Sequence, residues 1–170
     1  REGGGMSPSR DRGLELRIVQ SREELSAAWD VLGAAYDPPL RERVGDYEAY
    51  VDKVSRSAVT ILCIEGCSVL GGISFYANNE NSGAAFVTQA MVSPEEQGRG
   101  IGTMLFAACE RESLERGMVA VALEVRRDNE GARRLYERLG YRKAGRTERG
   151  FLMSKTLGSI YRGYGEGAGF

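Results

Sequence analysis

Two apolar runs joined by a glycine-studded turn and a helix do most to limit what this chain can fold into. Residues 84–92 are apolar and β-rich, and Gln97-Gly98-Arg99-Gly100-Ile101-Gly102 follows after a short connection. A helical pattern then covers about 101–116, and 118–125 is a second apolar run that reads as a buried strand. Strand, helix and strand in this order should close as a right-handed parallel crossover. Glycines at alternate positions leave backbone N–H groups uncovered where the helix begins. The orphan donors and the helix dipole both favour an anion there, so the unit predicts a phosphorylated ligand at the turn.

The remaining periodicity supplies the frame. Residues 14–19 alternate as a short strand. Ser21 with Glu24 forms a capping box that opens a helix running to about Tyr36, where Asp37-Pro38-Pro39 stops it. A second helix is expected over 46–55, and 58–65 and 69–77 read as an antiparallel hairpin joined at Gly66. After a turn cluster at 78–83 and the crossover unit come a helix over 128–139, capped by Gly140, and strands at 141–146 and 151–155. The predicted order is β-α-α-β-β-β-α-β-α-β-β. That is a mixed α+β fold with a central, mostly antiparallel sheet and one parallel pair. A single domain is expected over 14–157. Residues 1–5, ahead of Met6, read as added to a natural start, 7–13 as a disordered lead, and the glycine-rich 158–170 as a flexible tail.

Composition removes several classes of function. The 170 residues are 42% apolar and 28% charged with a net charge of −1, which gives no footprint for nucleic acid or an anionic membrane. No apolar run approaches the roughly 18 residues of a membrane span and no secretory leader is visible, so the expectation is a cytoplasmic protein. There is no histidine, which excludes Ser-His and Cys-His nucleophilic pairs and argues against a catalytic metal. Cys63 and Cys67 flank the hairpin tip within reach of a local disulfide. Core packing is the better reading for Cys63 and Cys109.

Three kinds of phosphate site compete for the turn. A P-loop needs a lysine that is missing here. A dinucleotide fold would use Glu124, about 20 residues downstream. Against it, Thr103 stands where the third fingerprint glycine belongs, residues 93–97 separate strand from turn, and the upstream chain is a meander. The third reading accounts for more residues. The stretch Val92-Ser93-Pro94-Glu95-Glu96-Gln97-Gly98-Arg99-Gly100-Ile101-Gly102 resembles the acetyl-CoA signature of the GNAT superfamily of N-acetyltransferases, Q/R-x-x-G-x-G/A. A second block resembles the family's next strand and helix: Leu123-Glu124-Val125-Arg126, Asn129, Ala132, Leu135-Tyr136-Glu137 and Leu139-Gly140-Tyr141.

That resemblance implies acetyl-CoA as co-substrate and no metal. The backbone of Gln97, Gly98, Arg99, Gly100, Ile101 and Gly102, with Thr103 at the helix start, would hold the CoA pyrophosphate. The strands 84–92 and 118–125 would part at their ends, leaving an edge on which Met91 and Val92 pair with pantetheine and one N–H faces the developing oxyanion. Tyr136 would be the general acid for the leaving thiol, on a helix face with Ala132 and Asn129. A tyrosine on an amphipathic helix is otherwise core, and Asp128-Asn129 is also ordinary helix-start chemistry. The run Leu123-Glu124-Val125-Arg126, with Tyr136 beyond it, resembles bacterial ribosomal-protein alanine N-acetyltransferases, which makes Glu124 a candidate base. Its alternatives are a structural partner for Arg126 or Arg127, or a substrate anchor. Where many relatives carry an acid on the strand 84–92, this chain has Thr88 and Gln89, so base catalysis would rest on Glu124 or water.

The acceptor is expected where the first two helices meet the last two strands. Tyr36, Pro38, Pro39, Tyr47, Tyr50 and Phe75 lie in the segments concerned, each more readily explained by packing. It is left open among a peptide N-terminus, an amino sugar and a small amine. No nucleic-acid or membrane partner is expected. The family commonly dimerises, though no segment marks an interface. The alternative function is a catalytically degenerate CoA-binding sensor or partner-binding domain.

Overall fold

The computed structural model describes residues 13–158; the expectations for residues 1–12 and 159–170 lie outside that range. Seven strands form one sheet: β1 (Glu15–Ile18), β2 (Val59–Glu65), β3 (Ser68–Tyr76), β4 (Ala84–Val92), β5 (Ala120–Arg126), β6 (Arg142–Arg146) and β7 (Gly150–Thr156). Their order across the sheet is β1-β2-β3-β4-β5-β7-β6. All neighbours are antiparallel except β4 and β5, the two arms of the predicted crossover.

The helices are α1 (Arg22–Gly33), α2 (Leu40–Arg43), α3 (Tyr47–Ser57), α4 (Ile101–Glu115) and α5 (Glu130–Arg138), with a 3-10 turn at Pro94–Glu96. The Ser21 hydroxyl accepts from the Glu24 N–H at 3.1 Å, as a cap requires, while the Glu24 carboxylate reaches back to the Gln20 N–H at 2.9 Å. Helix α1 closes at Gly33, three residues before the expected end, because the Asp37-Pro38-Pro39 block is preceded by a turn. The single-turn α2 has too little periodicity to be read from sequence. Asp46 caps α3 by accepting from the Ala49 N–H at 3.0 Å.

Two hydrophobic layers sandwich the sheet. On one face Ile101, Leu105, Phe106 and Cys109 of α4 pack on Ile61, Cys63, Ile73, Leu123 and Val125, joined at the edge by Ala132 and Tyr136 of α5 and by Leu139 just beyond it. On the other, Leu25, Trp29 and Leu32 of α1 pack with Val51 and Val54 of α3 and with Met91. Burying these apolar surfaces on both sides is what holds β3 and β4 rigid in the middle. Strand β5 departs from the buried run expected of it. Val121, Leu123 and Val125 are buried, whereas Glu124 and Arg126 are exposed, because only the α4 face of this strand is covered. Cys63 and Cys109 are fully buried and Cys67 is exposed; all three are free thiols, so the local disulfide does not form. No helix among the described residues is long and apolar enough to cross a membrane.

Candidate active site

Strands β4 and β5 pair only from Ala84↔Ala120 to Val87↔Leu123. Beyond that point β5 continues against β7 and β4 against β3, so the two diverge and a gap opens between them. The cause is local. In the β3–β4 ladder Ser74 pairs with Gln89 and Phe75 with Val87, leaving Thr88 as the extra residue of a bulge that bends β4 away. Residues 88–92 therefore present a sheet edge that no strand occupies.

The direction of the backbone along this edge follows from the ladder. The Ser93 N–H donates to the Leu70 carbonyl at 2.8 Å, which makes that pair hydrogen-bonded. Two residues back, Met91 with Gly72 is again a bonded pair, so Met91 spends its amide on β3. Its side chain is 2% exposed, in the α1–α3 layer. The alternate residues, Ala90 and Val92, turn N–H and C=O into the gap. Of the expected pair, Val92 turns its backbone to the gap and Met91 does not; Ala90 stands in that position along the edge. The carbonyl of Ala90 already accepts from the Tyr36 hydroxyl at 3.2 Å, as a group on the free side must.

At the end of β4 the chain passes the 3-10 turn and enters the glycine turn. Gly98 and Gly100 have φ of 84° and 79°, in the left-handed region, and nothing lies within 4 Å of where a Cβ on either would stand. Gly100 is the N-cap of α4 and supplies no side-chain cap, and the first turn of the helix has no acidic residue. The first N–H groups of α4 thus face open space at the positive end of the helix dipole, an arrangement that fits a pyrophosphate. Gly102 faces Leu135 of α5, whose Cδ2 would sit 3.6 Å from an added Cβ. Thr103 and Gln97 are exposed. The Arg99 guanidinium is engaged by Glu65 at 3.0 Å and by Glu96, and these carboxylates hold it above its ordinary pKa.

Tyr136 and Glu124 approach the gap from opposite faces of the sheet. Tyr136 is half-buried on the α4 side, its ring 5.3 Å from that of Phe106 and 6.2 Å from that of Tyr141. Burial pushes its phenol up to about 12, and the nearby Tyr36 hydroxyl adds to the rise. The Tyr36 hydroxyl itself donates to the Ala90 carbonyl at the edge of the gap. Tyr136 keeps its proton throughout the physiological range. Asn129 acts as the N-cap of α5, its Oδ1 accepting from the Ala132 N–H at 3.1 Å, and Ala132 packs against the α4 layer.

On the other face Glu124 projects into a cavity of about 450 Å³. Its walls are Thr88, Gln89 and Phe86 of β4, Tyr50 of α3, Arg43 at the end of α2, and Arg149 from the β6–β7 turn. Thr147 donates to the Glu124 carboxylate at 3.1 Å and fixes it from behind. Arg126 pairs with Asp128 instead, at 2.8 Å, so the structural partnership with Arg126 does not form. Of the aromatic candidates, Phe75 and Tyr47 are core, Tyr36 and Tyr50 are half-buried beside the gap, and Pro38 and Pro39 stay outside the cavity. Ala90, Arg43, Thr147 and Arg149 are what sequence reasoning missed. The first depends on register, and the others sit in segments without a motif.

Comparison with known proteins agrees with this geometry. A model of the Acetyltransferase (GNAT) family matches residues 22–141. The mycothiol acetyltransferase of Rhodococcus jostii is 42% identical over 52 residues, a stretch that is 31% of this chain and 17% of that protein. Among solved structures, the ribosomal-protein-S18-alanine N-acetyltransferase of Escherichia coli superposes with a TM-score of 0.70 at 21% identity, over 93% of this chain and 100% of that one. The PaiA N-acetyltransferase of Thermoplasma acidophilum, solved in complex with coenzyme A, gives 0.67 at 17% identity, over 85% and 99%. At such identities the structural likenesses speak for the fold.

Proposed function

Since the chain belongs to the GNAT acetyltransferase family, we propose that it is an N-acetyltransferase moving an acetyl group from acetyl-CoA to a primary amine by direct attack. The observation that carries this reading is the gap between β4 and β5, with an uncapped glycine turn at one end and a phenol and a carboxylate on its two faces.

Acetyl-CoA supplies an activated thioester, and the amine must lose a proton and the thiol must gain one for transfer to complete. The first N–H groups of α4, from Ile101 to Thr103, with the turn from Gln97 to Gly100, hold the pyrophosphate. The Ala90 and Val92 backbone takes the pantetheine as a strand takes its neighbour, and one of these N–H groups faces the oxygen on which charge develops. Glu124, on the cavity side, takes the proton of the incoming ammonium directly or through water. Tyr136, on the α4 side, protonates the departing sulfur. The carboxylate and the phenol thus act from opposite faces of the sheet. Asn129 and Ala132 shape the wall next to Tyr136.

The reading is tested by melting the protein with acetyl-CoA, CoA and NADPH, then following thiol release with amines. Stabilisation by acetyl-CoA and CoA together with amine-dependent thiol release is the expected result. Stabilisation by NADPH alone would refute it. Tight CoA binding without transfer to any amine would favour the alternative, a CoA-binding sensor or partner-binding domain, which the absence of an acid at Thr88 and Gln89 keeps open.

A further inference from the structure

The acceptor cavity has a charge pattern that the transfer chemistry does not require. Glu124 is its one carboxylate, while two guanidinium groups, Arg43 and Arg149, stand on its walls. Several arginines have carboxylate partners, as Arg41 with Asp30 and Glu48, Arg99 with Glu65 and Glu96, and Arg126 with Asp128, while others nearby, Arg127 and Arg146, have none among the described residues. Arg43 and Arg149 form no ion pair among the described residues. The Arg43 guanidinium carbon lies 5.4 Å from the centre of the Tyr36 ring.

A third group adds to the pattern. Gln89 Nε2 donates to the Tyr50 hydroxyl at 3.2 Å, and Tyr50 Oη lies 2.6 Å from Thr88 Oγ1. Either hydroxyl of the Tyr50–Thr88 pair can donate to the other, and the pair then keeps one O–H proton for a ligand. The floor of the cavity therefore presents an O–H donor beside two cations. Glu124 has one side bonded by Thr147 and the other open. A neutral amine or a polyamine would leave both guanidinium groups unanswered, and a dication would meet repulsion from them.

Resting on the N-acetyltransferase reading, we propose that the acceptor is an amine that also carries a carboxylate or phosphate. Its ammonium lies against Glu124, and its anionic group lies between Arg43 and Arg149, with a hydroxyl of the Tyr50–Thr88 pair donating from below. Guanidinium groups suit either oxyanion, because their paired donors match two oxygens of each.

The test compares kcat/KM, by thiol release, across matched amines: 4-aminobutyrate against 4-aminobutyramide, O-phosphoethanolamine against ethanolamine, and putrescine as a dication. The anionic member of at least one pair should be favoured about tenfold or more, the order of one charge-assisted hydrogen bond in a partly wet site. The pair that separates more widely tells carboxylate from phosphate. Arg149→Gln and Arg43→Gln should each lower that preference ratio about tenfold, and Arg149→Lys should restore part of it. A variant that has merely lost structure lowers both members alike and leaves the ratio standing, which counts against the proposal. Equal or better turnover of neutral amines or putrescine overturns it, as does failure of every anionic amine while acetyl-CoA still raises the melting temperature. Absence of any acetyl-CoA stabilisation is the separate signature of failure of the parent reading.

Discussion

Replacing Gly100 with alanine separates the turn's structural role from its ligand role. At φ 79° and ψ 10° the residue is left-handed, and an L side chain there costs about 1–2 kcal/mol. The alanine also stiffens the unfolded chain, which returns about 0.4–1 kcal/mol, so a net loss of about 1 kcal/mol remains. Nothing within 4 Å meets the new Cβ, so no clash is added to that figure. For a domain of this size the loss is about 3 °C in melting temperature. The ligand effect should be larger, because the methyl group stands where a phosphate oxygen must approach the N–H groups of α4. Loss of one charge-assisted hydrogen bond, about 2 kcal/mol, weakens acetyl-CoA about 30-fold. At a concentration 100 times the wild-type dissociation constant, stabilisation then falls from about 2.7 to about 0.9 kcal/mol, or from about 8 °C to about 3 °C. The assay is a melting curve with and without acetyl-CoA at that fixed concentration. A variant that melts about 3 °C lower alone, yet keeps the full acetyl-CoA shift, would refute the assignment of the turn to the pyrophosphate.

Other consequences can be measured directly. Tyr136→Phe should lower kcat about 100-fold while the CoA dissociation constant from calorimetry stays within about twofold; parallel losses would make the residue structural. The same variant bears on alkaline stability. The folded phenol lies near 12 against an ordinary 10, so its contribution is complete below pH 10 and lost as pH rises to 12, and Tyr136→Phe should flatten that part of the melting-temperature profile. Glu124→Gln should cost about 100-fold in kcat/KM at neutral pH and less at pH 9, where more of the amine arrives deprotonated; a deficit independent of pH would argue against a base. Gly150→Ala would place a Cβ 1.9 Å from the Val125 carbonyl oxygen and 2.8 Å from the Arg127 nitrogen, both backbone atoms that cannot swing aside. Such a variant should lose at least about 3 kcal/mol, about 10 °C, and an unchanged melting temperature would show that the β5–β7 ladder yields more easily than its pairing suggests.

What could be read from the sequence is what depends on neighbours along the chain. The cap at Ser21, the hairpin at Gly66, the alternation in β1 and the glycine turn are each set within a few residues, and the fold order follows from them. The site resists such reading wherever its parts answer to a partner strand. Whether Met91 or Ala90 turns its amide to the free edge is decided by the pairing of Ser93 with Leu70, more than 20 positions away, and by a bulge at Thr88 that no composition marks. The same holds for Glu124. In an apolar run it looks like a buried charge in need of compensation, yet α1 and α3 cover β2, β3 and β4 and stop short of β5, so its side of the strand is open. The carboxylate and the phenol are twelve residues apart in sequence and on opposite faces of one sheet. They can serve one reaction only because β4 and β5 separate after Val87 and Leu123, where a thioester can reach both faces at once.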